Sequence, residues 1–434
     1  YSTKSLMGKD VGIYIGYTDD MLYKQRVESV DPDSISIAIP GNVRSMMGGR
    51  IAYLLNLHGP SMVIDTACSS SLVAVHTACR AIQDGDCELA IVGSTKLFLN
   101  PLQKDTQFLY GVMSEDDRTR SYDASADGFG IGEGTGAIIL KALDKAIIDK
   151  DNIYAVIKGS AITQDGASIG ITAPNLEAQE EVLRRAWQAA GIAPEDIDYI
   201  EGHGTATTLG DAVELQALGN MFRKSETTRK CFLGSVKSNI GHLDHAAGMA
   251  GLIKLLLMIK NKKIPPTVYF EKPNSLINTS NIPIQINSEL LEWQSNNKVR
   301  TCCISSFGIS GTNCHMVLQE YNSQPNDRKK ENGNLFTLSA KTKVALRKLV
   351  QSYIAFLRNS YDLAIDDICY TANVGREQYQ YRFATSCIDI EDLIVQLEDA
   401  LGSGYFDELN PSKIPVDKRV QVECDDLIFN WKSG

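Results

Sequence analysis

The sequence predicts an α/β protein whose helices cover its sheets, and three observations carry that reading. Short β-branched runs alternate with amphipathic segments from the start of the chain to about residue 320. Apolar residues make up 43% and charged residues 22%, the balance of a folded globular chain with no low-complexity tract. The stretch 322–334 loses its apolar periodicity and becomes polar and charged, with Pro325 and Gly333, which marks a linker. At roughly 100–200 residues per domain, the 434 residues divide into two domains around it.

In chain order, residues 11–15 and 61–65 read as strands. Residues 69–83 carry Leu72, Val75, Cys79 and Ile82 at helical spacing, and 88–92 returns to a strand. Strands follow at 135–140 and 154–159, then a helix at 177–190 with Gly191 as its stop, then strands at 197–201 and 232–236. The longest apolar run, 246–259, is interrupted by Lys254 and falls short of the roughly 20 residues that cross a bilayer. It reads as a buried helix, so no membrane span is expected. Residues 301–305 and 315–318 complete the strands of the first domain, with Cys302 and Cys303 pointing to opposite faces. After the linker, a strand at 335–339 and a helix at 343–358 open a small α/β unit, and the end of the chain carries no readable pattern.

Lysine and arginine (43) are outnumbered by aspartate and glutamate (53), and no basic block offsets the charge of −10, which disfavours nucleic acid and anionic membranes as partners. Ten cysteines occur without a C-x-x-C pair, so neither a disulfide framework nor a structural zinc site is expected, and a reducing cytoplasm is.

Cys68 stands in Asp65-Thr66-Ala67-Cys68-Ser69-Ser70-Ser71, between the end of an apolar strand and the start of an amphipathic helix. A thiol at a helix N-terminus meets unsatisfied N–H groups and the positive end of the dipole, so a lowered pKa and a nucleophilic role are expected. The N–H of Cys68 would serve a developing oxyanion. Two of the six histidines, His203 and His242, lie in glycine-flanked loops that follow strands, where α/β sites collect. The glycine-rich stretch 128–136 does not satisfy G-x-G-x-x-G and precedes a strand, so its glycines serve tight packing, and no P-loop, H-E-x-x-H or G-x-S-x-G motif occurs.

These segments, in this order, resemble the β-ketoacyl synthase domains of modular polyketide synthases: Asp65-Thr66-Ala67-Cys68-Ser69-Ser70, His203-Gly204-Thr205-Ala206-Thr207, Lys237-Ser238-Asn239-Ile240-Gly241-His242, and Ser305-Ser306-Phe307-Gly308 followed by Gly311-Thr312-Asn313-Cys314-His315. Residues 368–371 and 373–376 resemble the subdomain that flanks such ketosynthases, and 39–42 and 171–175 resemble assembly lines served by a trans-acting acyltransferase. The resemblance implies a thiolase-like, five-layered α-β-α-β-α fold over 1–320, a linker at 321–334 and a flanking α/β subdomain at 335–434. In the family a β-α stretch precedes the strand at 11–15, so a chain lacking its N-terminal part is expected.

By the same resemblance, Cys68 takes an acyl chain from the phosphopantetheine arm of an acyl carrier protein, and His203 and His242 stabilise the enolate formed when malonyl carrier protein loses CO₂. Lys237 supports the histidine pair, Thr205 and Thr207 bind the phosphopantetheine, and Phe307 gates the pocket and supplies the second oxyanion N–H. No metal or resident cofactor is implied, and a homodimer is, through pairing of strand 61–65 with its own copy. Ala206 replaces a usual glycine, Cys314 a common alanine and His245 a small residue. Thiolase chemistry lacks its C-x-G cysteine, because Cys314 is followed by His315, and a Cys-His-Asn synthase would not end its third motif in His242. The alternatives that remain are a non-elongating domain that only transfers or holds the acyl chain, or a scaffolding domain.

Overall fold

The computed structural model describes residues 1–18, 22–34, 40–98, 112–225, 229–274, 282–294, 299–322, 334–359 and 363–411. Most of the segment read as a linker, Ile39 and everything after 411 lie outside the described residues. By its contacts the chain divides into two compact units, Gly8–Ser323, and Gln324–Gly434 together with Tyr1–Met7.

In the larger unit, β1 (Val11–Gly16) runs parallel to β2 (Ser61–Ile64) on one side and to β3 (Leu89–Lys96) on the other, and β4 (Gly134–Lys141) closes the far edge antiparallel to β3. All six residues of β1 are buried, as a strand covered on both faces requires. A second sheet uses β5 (Val156–Gln164), β6 (Tyr199–Glu201), β7 (Cys231–Gly234), β9 (Ile284–Ile286), β11 (Thr301–Phe307) and β12 (Thr312–Gln319) in the order β5-β12-β11-β6-β7-β9. β8 (Lys263–Ile264) and β10 (Leu291–Glu292) form a separate antiparallel ladder.

Helices Ser70–Asp84 and Ala247–Asn261 fill the space between the sheets. One core joins Tyr14 and Val92 of the first sheet, Leu72 and Val75, Leu252 and Leu255, and Cys302, Ile304 and Met316 of the second. On the other face of the second sheet, Cys303 and Val317 pack with Leu183 and Trp187 of helix Leu176–Ala190 and with Leu215 and Leu218 of helix Thr208–Arg223. Each large side chain so buried contributes about 1.5–3 kcal/mol. Helix Met46–Leu55 packs on β1 and β2, with Gly48 against Ser61 and Ile13, on the face away from Tyr14. The stack is helix, sheet, helices, sheet, helices, which is the expected five-layered order. Cys302 and Cys303 fall into different cores, as their adjacency in one strand predicts.

The 246–259 run is the buried helix Ala247–Asn261, and helix Leu176–Ala190 is capped by the Asn175 side chain and stopped by Gly191 in the left-handed region. Gly136 on β4 faces Ile253 and Met249, where an added Cβ would come to 2.7 and 2.9 Å, so this glycine serves sheet–helix packing, whereas a Cβ at Gly128 or Gly130 would meet the backbone of Val112 or Asp117.

In the smaller unit, β13 (Asn334–Ala340) pairs antiparallel with β14 (Tyr381–Cys387), and helices Lys343–Arg358, Ile365–Val374 and Ile390–Gly402 complete it. Phe336, Leu346, Val350, Leu393 and Leu397 form its core. Helix Ile390–Gly402, unread in the sequence, buries Leu393, Leu397 and Ala400 on one face and carries an N-cap in which Asp389 accepts the Asp392 N–H.

Candidate active site

Between the end of β2 and helix Ser70–Asp84 the chain turns through Ala67 at φ 52°, a left-handed conformation that costs a non-glycine residue about 1–2 kcal/mol. Local hydrogen bonds hold it there. The Ala67 N–H donates to Asp65 Oδ1 at 3.2 Å, Ser70 Oγ donates to the Ala67 carbonyl at 2.6 Å, and the Thr66 N–H donates to Ser70 Oγ at 2.9 Å. Cys68 is left half-buried at the mouth of a 15-residue helix. From the second sheet, Ser306 Oγ donates to the Cys68 carbonyl at 2.8 Å and ties the elbow to β11.

His203 follows β6. Its N–H and that of Gly204 donate to the buried carboxylate of Glu214, at 2.7 and 3.0 Å, and Lys237 Nζ donates to its carbonyl at 2.5 Å. His242 follows the short helix Lys237–Ile240; its N–H donates to the Gly130 carbonyl at 2.7 Å. Gly241 makes that approach possible at φ 75°, since a Cβ there would sit 2.7 Å from the Ile131 carbonyl group. The two imidazole rings lie 5.8 Å apart at 88°.

The ring nitrogens of both histidines are assigned by their partners. The Phe307 N–H donates to His203 Nδ1 at 3.4 Å, and the Asp244 N–H donates to His242 Nδ1 at 3.1 Å. An Nδ1 that accepts leaves the proton on Nε2. Burial holds His203 well below the usual histidine range and His242 at about 3, with the Lys237 charge acting in the same direction. Both are therefore neutral Nε2–H donors at pH 7.

Cys68 differs from expectation. Burial pushes its thiol up to about 11 and the Asp244 carboxylate adds to this, while Lys237 and the backbone N–H groups of Ile309 and Cys68 pull the other way. The lowered pKa expected from the helix N-terminus is thus corrected: lost hydration outweighs the pull of Lys237 and the two backbone N–H groups, and the resting group is a thiol. Two backbone N–H groups of the β11–β12 turn bear on the second oxyanion donor expected at Phe307. The Phe307 N–H donates to His203 Nδ1 at 3.4 Å, and the Ile309 N–H meets the Cys68 sulfur.

One cavity of about 880 Å³ is lined by Cys68, His203, His242, Thr205, Thr207, Phe307 and Ile309, among others. The Thr205 and Thr207 hydroxyls lie 3.0 Å apart. Among the described residues, no group of three or more His, Cys, Asp or Glu side chains is arranged to hold a metal ion.

Known proteins are similar to this chain. The β-ketoacyl synthase N-terminal domain matches residues 1–146, its C-terminal domain residues 154–271, and a CurL-like polyketide synthase C-terminal segment residues 334–397. The ketosynthase from module 6 of the bacillaene synthase of Bacillus subtilis 168 is 38% identical, covers 93% of this chain with 68% of its own, and superposes with a TM-score of 0.82. The chain belongs to the polyketide synthase ketosynthases. Ketosynthase twelve of the bacillaene synthase of Bacillus amyloliquefaciens covers the whole chain and 76% of its own at a TM-score of 0.84 and 31% identity. Polyketide synthase PksL of Bacillus subtilis is 40% identical over 410 residues, 92% of this chain but 9% of its own length, so the chain spans a small part of the curated relatives it matches. The fold of this ketosynthase is accordingly the thiolase-like one.

Within the ketosynthase site, the sequence-named residues Cys68, His203, His242, Thr205, Thr207 and Phe307 converge on one cavity, and Lys237 lies buried behind His203. Ala206 adopts φ 57°, which explains the usual glycine, and its N–H is held by Asp211 at 3.1 Å. Cys314 is core. Glu214, Asp211 and Ile309 were missed. The first two had a signal: they fall on the same helical face as Leu215, Leu218 and Phe222, acids on an apolar stripe. Ile309 acts through its backbone, which no side-chain pattern reveals.

Proposed function

We propose that this ketosynthase catalyses decarboxylative Claisen condensation of a Cys68-bound acyl chain with malonyl carrier protein. The observation that carries the reading is the pair of neutral Nε2–H imidazoles in one cavity with an accessible thiol. In acylation the Cys68 sulfur attacks the carrier thioester, the acyl–pantetheine C–S bond breaks, and the thiol proton leaves with pantetheine. The tetrahedral oxyanion takes the N–H groups of Cys68 and Ile309. The malonyl C–C bond then breaks with release of CO₂, and its electron pair becomes an enolate whose oxygen accepts from His203 and His242. Attack on the acyl-Cys68 carbonyl forms the new C–C bond and expels the Cys68 sulfur as a thiolate, which takes a proton from solvent, the original thiol proton having left with pantetheine. Lys237, through the His203 carbonyl, keeps the pair placed and neutral, and Thr205 and Thr207 receive the phosphopantetheine arm.

The partners in this reading are acyl carrier proteins and, from the 171–175 motif, a trans-acting acyltransferase; no cofactor is resident and the setting is cytoplasmic. Among the described residues nine cysteines are free and no helix is long and apolar enough to cross a membrane. The division into a ketosynthase at 1–320, a linker and a flanking spacer at 335–434 belongs to the same proposal. A homodimer fits β2, which stands at the edge of its sheet with Met62 exposed beside the nucleophile elbow. Light scattering should give twice the chain mass; a monomer at micromolar concentration contradicts it.

Incubation with an acyl-pantetheine thioester and malonyl carrier protein, followed by intact mass of the carrier, tests the chemistry. A carrier-bound β-ketoacyl product is expected. Acyl-Cys68 without any extension would put the non-elongating reading in its place.

A further inference from the structure

The turn that follows His242 is held from the first sheet. Two consecutive residues at the end of β3 reach two consecutive residues of that turn: the Thr95 carbonyl accepts from His245 Nε2 at 2.6 Å, and Lys96 Nζ forms an ion pair with Asp244 Oδ2 at 2.8 Å. Lys96 is steadied in turn by the Phe98 ring, whose centroid lies 4.7 Å from Nζ. Both partners of the ion pair are half-buried and line the cavity that holds Cys68 and His242. Asp244 sits at φ 43°, a left-handed conformation uncommon outside glycine. There its N–H donates to His242 Nδ1 at 3.1 Å, the bond that leaves the ring proton on Nε2. A proton taken up on Nδ1 would set two donors against each other and break that bond.

The Asp244 carboxylate bears on both reacting groups. It favours a charged imidazole at His242, which Lys96 and Lys237 oppose, and it disfavours a thiolate at Cys68, which Lys237 opposes. The other titratable groups that face His242 are His203, whose ring stands 5.8 Å away, and His245. Resting on the proposed role of His242 in extension, we propose that Lys96 is a positioning residue: its ion pair with Asp244 holds the turn that keeps the His242 proton on Nε2, and it screens the Asp244 charge from His242 and Cys68. Lys96 touches no reacting atom in this reading and acts through Asp244. A part-exposed ion pair adds little to stability, so the effect is read at the two reacting groups and not in unfolding.

The test is an NMR titration of the protein with isotope-labelled histidine rings, the His242 signals being those missing from His242→Gln. In the unmodified protein the ring should stay neutral and protonated at Nε2 through the weakly acidic range, since its own midpoint lies at about 3. Lys96→Met leaves the Asp244 carboxylate unscreened, so the His242 midpoint should rise, and β-ketoacyl formation should fall off at a higher pH than in the unmodified protein. Lys96→Arg should restore both, and Asp244→Asn added to Lys96→Met should cancel the rise. A merely structural loss would lower the rate without moving the titration. Cys68 alkylation by iodoacetamide at about pH 8 gives a second reading: about three- to tenfold slower in Lys96→Met and faster in Asp244→Asn, because one change uncovers and the other removes the negative charge near the thiol. A His242 titration unmoved in Lys96→Met, or raised as much in Lys96→Arg, overturns the proposal. Should Lys96→Met fail to fold, equal alkylation of Asp244→Asn and the unmodified protein overturns it. Titrations with these signs in a protein that forms no β-ketoacyl product overturn the condensation reading and leave the placement of His242 by Lys96 standing.

Discussion

The first sheet presents Cys68 on a turn whose hydrogen bonds come mostly from its own neighbours, Asp65, Thr66, Ser69 and Ser70. The second sheet presents His203 and His242 on loops held from far along the chain: Glu214 under His203, Gly130 beside His242, Phe307 on the His203 ring nitrogen. The cysteine elbow is therefore shaped locally and the histidine pair globally. Local shaping leaves a signature in a heptapeptide, whereas global shaping is visible only after folding. It also predicts that the two parts fail separately, the first in acyl transfer and the second in extension.

The largest effect that would sharpen this contrast is on the histidines. His203→Ala or His242→Ala removes one donor to a developing oxyanion, worth about 3–4 kcal/mol or roughly 10²–10³ in rate, and should lower extension by that factor. Measured rates of β-ketoacyl formation check it.

Next is the pH dependence of the thiol. Because burial holds Cys68 up to about 11, modification by iodoacetamide should rise about tenfold per pH unit from neutral pH toward that value. Peptide mapping should find Cys68 first, since the other cysteines among the described residues are buried or, for Cys79, raised to about 12 by burial. A rate that levels off near pH 8 would restore the helix dipole as the dominant influence.

Glu214→Ala strips the acceptor from the His203 and Gly204 N–H groups and the Tyr122 hydroxyl, and orphaned buried donors of this kind cost about 1–3 kcal/mol each. Denaturant unfolding should register the loss. Extension should fall more than acylation, because the loop that moves carries His203 and not Cys68. An equal fall in both would break the separation.

The smallest effect is expected at Ala206→Gly. Relief of a left-handed φ of 57° should stabilise the fold by about 1 kcal/mol, visible as a higher denaturant midpoint.

The legibility of the site follows the same division. Strands and helices with clean periodicity were readable: the 343–358 helix coincides with Lys343–Arg358, and the buried run at 246–259 with Ala247–Asn261. Helix Ile390–Gly402 was not, because Glu391, Asp392, Glu398 and Asp399 mask the spacing of Leu393, Leu397 and Ala400. Cys68, His203 and His242 were readable as side chains in turns. The raised thiol pKa was not, since it depends on how much water the folded cavity excludes, and neither was the Ile309 N–H, since every residue type but proline offers one.

In the proposed reaction Cys68 carries the acyl chain while two neutral imidazoles carry the enolate. Intact-protein mass spectrometry on His203→Ala, supplied with an acyl-pantetheine thioester and malonyl carrier protein, reads both steps in one sample. That sample should show an acyl adduct on Cys68, formed more slowly than in the unmodified protein, and a carrier-bound β-ketoacyl product reduced by roughly 10²–10³. Extension at the unmodified rate would contradict it.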